Sequence, residues 1–214
     1  RRAVPRVCGA SRRLCRRGHL AIAMRHHAAA NPFRVEQLHR VPYWDPALDW
    51  ERLLAKIESR RCRGAIVGPH GHGKTTLLLE LARRLQQAGH AVAHHTLGDA
   101  DRVEASLVAD PATIYLLDGA ERLGPLRWRA FRWRMRAARG IIITAHRPGR
   151  LPTLHHCVTT PGTVAHLVQQ LAPAHALALA PRIPRLHEQH QGDCRRILFQ
   201  LYDEFAVRTE SPPV

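Results

Sequence analysis

Two spacings of apolar residues alternate along the chain, and together they predict alternating strands and helices. Short apolar runs such as residues 114–117 are typical of strands that are buried on both faces. Between the runs, apolar residues recur at helical spacing, as Trp50, Leu53, Leu54 and Ile57 do. The pattern predicts strands over 63–68, 91–97, 113–119, 140–146 and 155–160, and helices over 50–57, 74–88, 99–109 and 125–139.

Strands that alternate with helices favour a parallel sheet covered by helices on both faces, which is the α/β fold class. After Pro161 the strand pattern ends, and helical spacing continues over 163–172, 176–190 and 194–207. We therefore expect three parts in the chain. They are a disordered basic extension at 1–30, an α/β core at 31–160, and a small C-terminal helical lid with a short tail at 161–214.

The formal net charge of +16 invites a nucleic-acid partner, but the composition weakens this indication. Only Lys56 and Lys74 are lysines among 33 basic residues, which is typical of a GC-rich genome that favours arginine codons. Residues 1–30 contain no acidic residue, and they resemble either a transit peptide or, as we favour, a gene start placed upstream of Met24. No run of eighteen apolar residues occurs, so we expect a cytoplasmic protein without a membrane partner.

Cysteine and histidine spacing gives little support to a metal centre built from these residues. The five cysteines are scattered and form no C-x-x-C pair. Several of the 16 histidines are adjacent in sequence, as His94 and His95 are, so their side chains point in different directions and would chelate poorly.

Residues 68–76 read GPHGHGKTT and lie between a predicted strand and a predicted helix. They satisfy the G-x-x-x-x-G-K-[ST] pattern of a phosphate-binding loop. Glycines let the backbone close around a polyphosphate, and the amides of a helix N-terminus favour an anion. In this pattern the lysine reaches the β- and γ-phosphates, and the threonine hydroxyl ligates Mg²⁺. The predicted ATP-binding residues are Gly68, Pro69, His70, Gly71, His72, Gly73, Lys74, Thr75 and Thr76, with both histidines facing solvent.

The sequence IYLLDGAE supplies a carboxylate that would complete such a site. Four apolar residues lead to Asp118 at the predicted end of a strand, where α/β sheets bind ligands. This is the Walker B pattern, and we expect Asp118 and Thr75 to hold Mg²⁺ together. Hydrolysis also needs a group that activates water, and Glu121 is the candidate. An equally good interpretation is that Glu121 complements the dipole of the following helix.

With these motifs the chain resembles the AAA+ branch of P-loop ATPases over about residues 36–207. An additional strand separates the two motifs, as in that branch. The strand IIITAH ends in Thr144 and is similar to the sensor-1 strand, whose polar residue positions the attacking water. The sequence GDCRR resembles the sensor-2 motif that opens the last lid helix. The resemblance implies that Arg195 touches the γ-phosphate, with Arg196 as the neighbouring alternative.

Within that branch, the motifs of the chain most resemble those of compact bacterial AAA+ helpers of transposition and secretion. In those proteins a glutamate follows the Walker B aspartate, whereas this chain has Gly119. The resemblance also implies an adenine contact near residues 41–43, although an irregular packing segment is an equally good interpretation. Arg147 and Arg150 are candidates for an arginine finger or simply surface arginines.

Three functions fit these features. The first is an ATP-binding, Mg²⁺-dependent ATPase whose lid movement is read by a protein partner or by further copies of the chain. The second is a nucleotide-dependent switch or adaptor that does not hydrolyse ATP, which Gly119 favours. The third is a small-molecule kinase, although no acceptor-site motif follows the loop.

The predicted helix at 126–139 interleaves arginine with aromatic residues, which can bind single-stranded nucleic acid. Trp128, Phe131 and Met135 share one face, and a second apolar face lies opposite. A helix on a sheet needs one apolar face only. The second face either contacts a partner or is buried against another part of the chain, and we favour burial.

Overall fold

A computed structural model describes residues 31–34, 37, 41–97 and 103–210, so the extension predicted at 1–30 lies outside the described residues. The sheet contains β1 (Arg63–Val67), β2 (Ala91–Thr96), β3 (Thr113–Asp118), β4 (Gly140–Ala145) and β5 (Thr153–His156). All pairings are parallel, and the strand order across the sheet is β2-β3-β4-β1-β5. Helices flank this sheet, so the predicted α/β fold class with a parallel sheet is confirmed.

Eight α-helices occur in the part of the chain that the structure describes. They are α1 (Trp50–Ser59), α2 (Lys74–Gln87), α3 (Val103–Ser106), α4 (Pro125–Arg134), α5 (Pro161–Leu171), α6 (Pro173–Leu179), α7 (Ile183–Gln189) and α8 (Cys194–Glu210). Short 3₁₀ turns at Ala120–Arg122, Met135–Ala137 and Ala180–Arg182 connect some of them. None of these helices is long and apolar enough to cross a membrane.

The apolar residues form three clusters, one for each packing layer. Helices α1 and α2 cover one face of the sheet through residues such as Ile57 and Leu81. Helix α4 covers the other face through Phe131 and Met135. The C-terminal helices have their own cluster, which includes Ile197. Each fully buried leucine or isoleucine of this kind stabilises the fold by about 1.5–3 kcal/mol.

Three predicted elements differ from the structure. The helix expected over 99–109 is described only as α3. The chain at 107–110 is not helical, and there the Tyr115 hydroxyl donates to the Val108 carbonyl at 2.7 Å. Strand β5 begins two residues and ends four residues earlier than expected, since it pairs with β1, which ends at Val67 opposite His156. The helix expected over 176–190 is divided between α6 and α7 by Pro181 and Pro184, which fit only helix starts.

Candidate functional site

The candidate site lies where the carboxyl ends of three adjacent strands meet. Val67 ends β1 and pairs with Ala145 of β4, while Leu117 of β3 pairs with Ile143 of β4. This register brings the loop after β1, the Asp118 side chain and the end of β4 to one edge of the sheet. Crevices at this edge are where open parallel sheets bind ligands.

Two threonine hydroxyls hold the carboxylate of Asp118. Thr75, from the start of α2, donates to Oδ2 of Asp118 at 2.8 Å. Thr144, from β4, donates to Oδ1 at 2.6 Å and accepts the Gly119 amide at 2.8 Å. The structure therefore brings Thr75, Asp118 and Thr144 together as the sequence predicted. The carboxylate and the exposed Thr75 hydroxyl are oxygen ligands of the type that Mg²⁺ prefers, so the donor set fits this ion.

A metal centre built from imidazole, thiolate or several carboxylates has no counterpart in the part of the chain that the structure describes. Among the described residues, no group of three or more His, Cys, Asp or Glu side chains could hold a metal ion.

Lys74 is buried in the loop after β1. Its side chain is 8% exposed, and its ammonium donates to the Pro69 carbonyl at 2.6 Å. Burial lowers the pKa of Lys74, and the carboxylate of Glu121 is the strongest influence that opposes this shift, ahead of Asp118. Lys74, Glu121 and Asp118 thus lie close enough to share one electrostatic environment.

The loop itself has the backbone that a phosphate cradle requires. Gly71 and Gly73 have φ values of 73° and 78°, a left-handed conformation that favours glycine. Gly73 also precedes α2 and has no side chain that could cap it. The first backbone amides of this 14-residue helix can therefore donate hydrogen bonds to an anion. Gly68 packs against the Cys157 carbonyl, which its Cβ would approach to 2.6 Å. This loop fits a polyphosphate in both conformation and donors.

The remaining loop residues divide into exposed and buried positions. Pro69, His70 and Thr76 are exposed. The expectation that His72 faces solvent is wrong, because His72 is half-buried and its Nδ1 accepts the Thr159 amide at 3.1 Å. Burial accordingly lowers the pKa of His72.

Glu121 points back to the loop rather than along the following helix. It lies in the 3₁₀ turn before α4, and its Oε1 lies 3.0 Å from Nε2 of His146 at the end of β4. Its other oxygen, Oε2, is shielded from solvent and has no hydrogen-bond partner within the described residues. The His70 ring packs on His146 with 3.8 Å between centroids. Burial lowers the pKa of His146, and Glu121 opposes that shift.

The backbone conformation explains why glycine occupies the position after Asp118. Gly119 has a φ of 83°, and an added Cβ would lie 3.2 Å from the Leu97 carbonyl. A glutamate at this position would be strained, because side-chain-bearing residues rarely adopt this backbone conformation. The turn that follows brings Glu121 to the site instead.

The C-terminal helices contact the loop at the start of α8. The Cys194 amide donates to the Gly71 carbonyl at 3.2 Å, and a Cβ on Gly71 would collide with the Asp193 carboxylate. Arg195 is exposed at this end, and its charge adds to the lowering of the Lys74 pKa by burial. Arg196 is exposed too and lies against Asp193, with 3.6 Å between Nε and Oδ2.

The segment before α1 also reaches the loop. The Tyr43 ring would lie 3.2 Å from a Cβ on Gly73, and its hydroxyl is 3.4 Å from Nε2 of His155. Burial raises the pKa of Tyr43, which keeps the hydroxyl protonated. Tyr43 is therefore packed against the loop, while Pro42 is exposed.

The two candidate arginine fingers differ in their surroundings. Arg147 is exposed. Arg150 is half-buried, donates to the Leu123 carbonyl and has its guanidinium carbon 5.3 Å from the centroid of Trp128. Arg150 thus packs within its own chain, which leaves Arg147 as the arginine that another molecule can reach.

Sequence reasoning missed His146, which follows the sensor-like strand and holds Glu121. The signal was a histidine directly after β4, two residues beyond Thr144, and only the sheet order β3-β4 shows that it lies beside Glu121. His70 was placed in the loop but not against His146.

The preference for burial of both faces of α4 is wrong. Trp128 and Phe131 are buried on the sheet, whereas Leu126 is 84% exposed and Trp133 is 67% exposed. The C-terminal helices pack in a separate cluster, so they do not cover this face.

The chain matches no protein-family model and no curated protein.

Proposed function

We propose that this chain is an ATP-binding, Mg²⁺-dependent ATPase of the P-loop AAA+ type. The observation that carries the proposal is the convergence of Lys74, Thr75, Asp118 and Thr144 at the carboxyl edge of the sheet. The order of the sheet, in which β4 separates β1 from β3, agrees with the additional strand that this class contains. ATP would lie between this edge and the helical lid.

Each residue would have a distinct role in such a site. The loop amides and Lys74 would hold the phosphates, and Thr75 with Asp118 would hold Mg²⁺, whose chemistry would be to offset phosphate charge. Thr144 fixes the Asp118 carboxylate in one orientation. The carboxylate of Glu121, whose Oε1 lies 3.0 Å from Nε2 of His146, is the group that would take a proton from water.

The lid would report the state of the site through α8. The Cys194 amide donates to the Gly71 carbonyl of the loop, and Arg195 is the next residue, so a movement of the loop on phosphate binding would be transmitted to the start of α8. A protein partner or further copies of this chain would read that movement. Nucleic acid is an additional candidate partner because of the exposed arginine-rich face of α4.

The test is ATP binding and steady-state hydrolysis by the full chain with Mg²⁺. Lys74→Ala should abolish binding, and Glu121→Gln should keep binding while it lowers turnover by about 100-fold or more. Lys56→Ala and Glu58→Gln, which remove the same groups from α1, serve as matched controls and should change neither property. If the wild-type chain does not bind ATP, the proposal is overturned.

Two alternatives have their own outcomes in the same experiment. Tight ATP binding without turnover would favour a nucleotide-dependent switch or adaptor. Turnover that requires a small hydroxyl-bearing acceptor and yields a phosphorylated product would favour a kinase.

A further inference from the structure

The exposed face of α4 combines apolar residues with arginines on both sides. Leu126, Ala130 and Trp133 form its centre, and all three are exposed. Arg129 and Arg132 lie along one edge of this strip. We call these five residues the arginine–tryptophan face.

Helical geometry fixes this face toward solvent. At 3.6 residues per turn, Trp133 lies on the side of the helix opposite Trp128, Phe131 and Met135. Those three residues are buried against the sheet, with exposures of 8%, 1% and 0%. Because the helix cannot rotate without exposing them, the arginine–tryptophan face is held outward.

The sequence around this face is strongly basic. Residues 122–139 contain seven arginines and no acidic residue. After burial, the charge of Arg132 is what lowers the pKa of Arg63, so two cations lie near each other. Within the described residues, neither Arg129 nor Arg132 forms an ion pair. Like charges that are brought together in this way are stabilised by a polyanion.

The aromatic side chain narrows the choice of polyanion. The guanidinium carbon of Arg136 lies 4.2 Å from the centroid of the Trp133 ring, so one side of the indole is held by a cation. A planar ring that is 67% exposed, with arginines on either side, can stack one base while the arginines contact phosphates. An acidic peptide would use the charges but leave the indole without a stacking partner.

We propose that the arginine–tryptophan face binds single-stranded nucleic acid through base stacking on Trp133 and phosphate contacts from Arg129 and Arg132. This binding does not depend on the proposed ATPase, because the face lies on α4 and not in the loop after β1. Lys74→Ala should therefore leave it unchanged.

The test uses the full chain and a fluorescein-labelled 20-nucleotide oligothymidylate, with anisotropy measured across a salt series. Trp133→Ala should weaken binding about 10-fold or more with little change in salt dependence. Arg129→Glu combined with Arg132→Glu should weaken binding further and flatten the slope of log K against log salt by about 1.4, since each phosphate contact in a single strand contributes about 0.7.

The control is Arg52→Glu combined with Arg60→Glu, two exposed positions at α1, on the opposite face of the sheet. It makes the same change in net charge, so an equal loss of affinity in the control would show non-specific attraction and overturn the proposal. The proposal is also overturned if the wild-type chain does not bind the oligonucleotide, or if polyglutamate of equal length or anionic vesicles compete as well as unlabelled oligothymidylate. Circular dichroism of each variant establishes that it is folded.

Discussion

The two threonines that hold Asp118 differ in solvent exposure, and this difference provides a paired test of the candidate site. Thr144 is fully buried, whereas Thr75 is exposed. Thr144→Val keeps the shape of the side chain but leaves the Gly119 amide and Oδ1 of Asp118 without that hydroxyl. Hydrogen bonds to charged groups contribute about 1.5–3 kcal/mol and neutral ones about 0.5–1.5 kcal/mol, so the loss should total about 2–4.5 kcal/mol.

Thr75→Val removes a bond to the same carboxylate, but water can replace this exposed hydroxyl. We expect it to cost less than about 0.5–1 kcal/mol. The assay is thermal and urea unfolding without nucleotide. For a chain of this size each kcal/mol lowers Tm by about 2–4 °C, so Thr144→Val should lower Tm by roughly 4–18 °C. Thr144→Ser keeps the hydroxyl and loses one buried methyl group, and it should cost only about 1 kcal/mol.

Thr144→Val should cause the larger loss of stability, but Thr75→Val should cause the larger loss of Mg²⁺-dependent ATP binding. Thr75→Val removes a proposed ligand and should abolish the effect of Mg²⁺ on affinity, while Thr144→Val should retain part of it. The reasoning is refuted if Thr144→Val unfolds within about 0.5 kcal/mol of the wild type, or if it is no more destabilising than Thr144→Ser. Either result would mean that the Thr144 hydroxyl does not fix the carboxylate.

Three further predictions use other contacts of the site. Gly71→Ala should destabilise the chain by about 1–3 kcal/mol, because φ is 73° and the new methyl group meets the Asp193 carboxylate. In urea unfolding, the additional substitution Asp193→Gly should restore part of the lost stability. The absence of any such rescue would contradict the contact. His146→Gln should lower turnover more than ATP affinity, because it releases Glu121 and not the phosphates; equal losses in kcat and binding would count against this role. Burial lowers the pKa of His155, so the folded chain binds fewer protons than the unfolded chain below about pH 6.5. Stability should therefore fall as the pH is lowered from about 6.5 through that depressed pKa, and His155→Gln should weaken this dependence in urea unfolding at each pH.

The sheet was predictable because its strands are short apolar runs between helical segments. Residues 114–117 are buried on both faces, which requires the continuous apolar run that the sequence shows. The edge strand β5 was harder to predict. Three of its four residues are polar, and Leu154 is the one that is buried. Its position is set by pairing with β1, which is tertiary information.

Local spacing was also sufficient to find the loop residues and Asp118, since the phosphate-loop pattern is a property of consecutive positions. Local spacing was insufficient to predict the burial of His72, the contact of His146 with Glu121, or the exposure of the outer face of α4. His72 is buried by the segment that carries Thr159, which lies 87 residues away in the chain. The outer face of α4 has the same apolar pattern as its inner face, so only the packing decides which one meets the sheet.

The departure at Gly119 follows from the backbone and bears on the proposed activity. Its amide donates to Thr144, and its φ of 83° turns the chain immediately after Asp118. A glutamate at this position would gain a carboxylate but would strain that turn against the Leu97 carbonyl. The 3₁₀ turn places Glu121 near Lys74 instead, with one oxygen facing His146 and the other without a partner within the described residues. The chain thus keeps a carboxylate at the site while the residue after Asp118 remains glycine, so Gly119 by itself is no argument against hydrolysis.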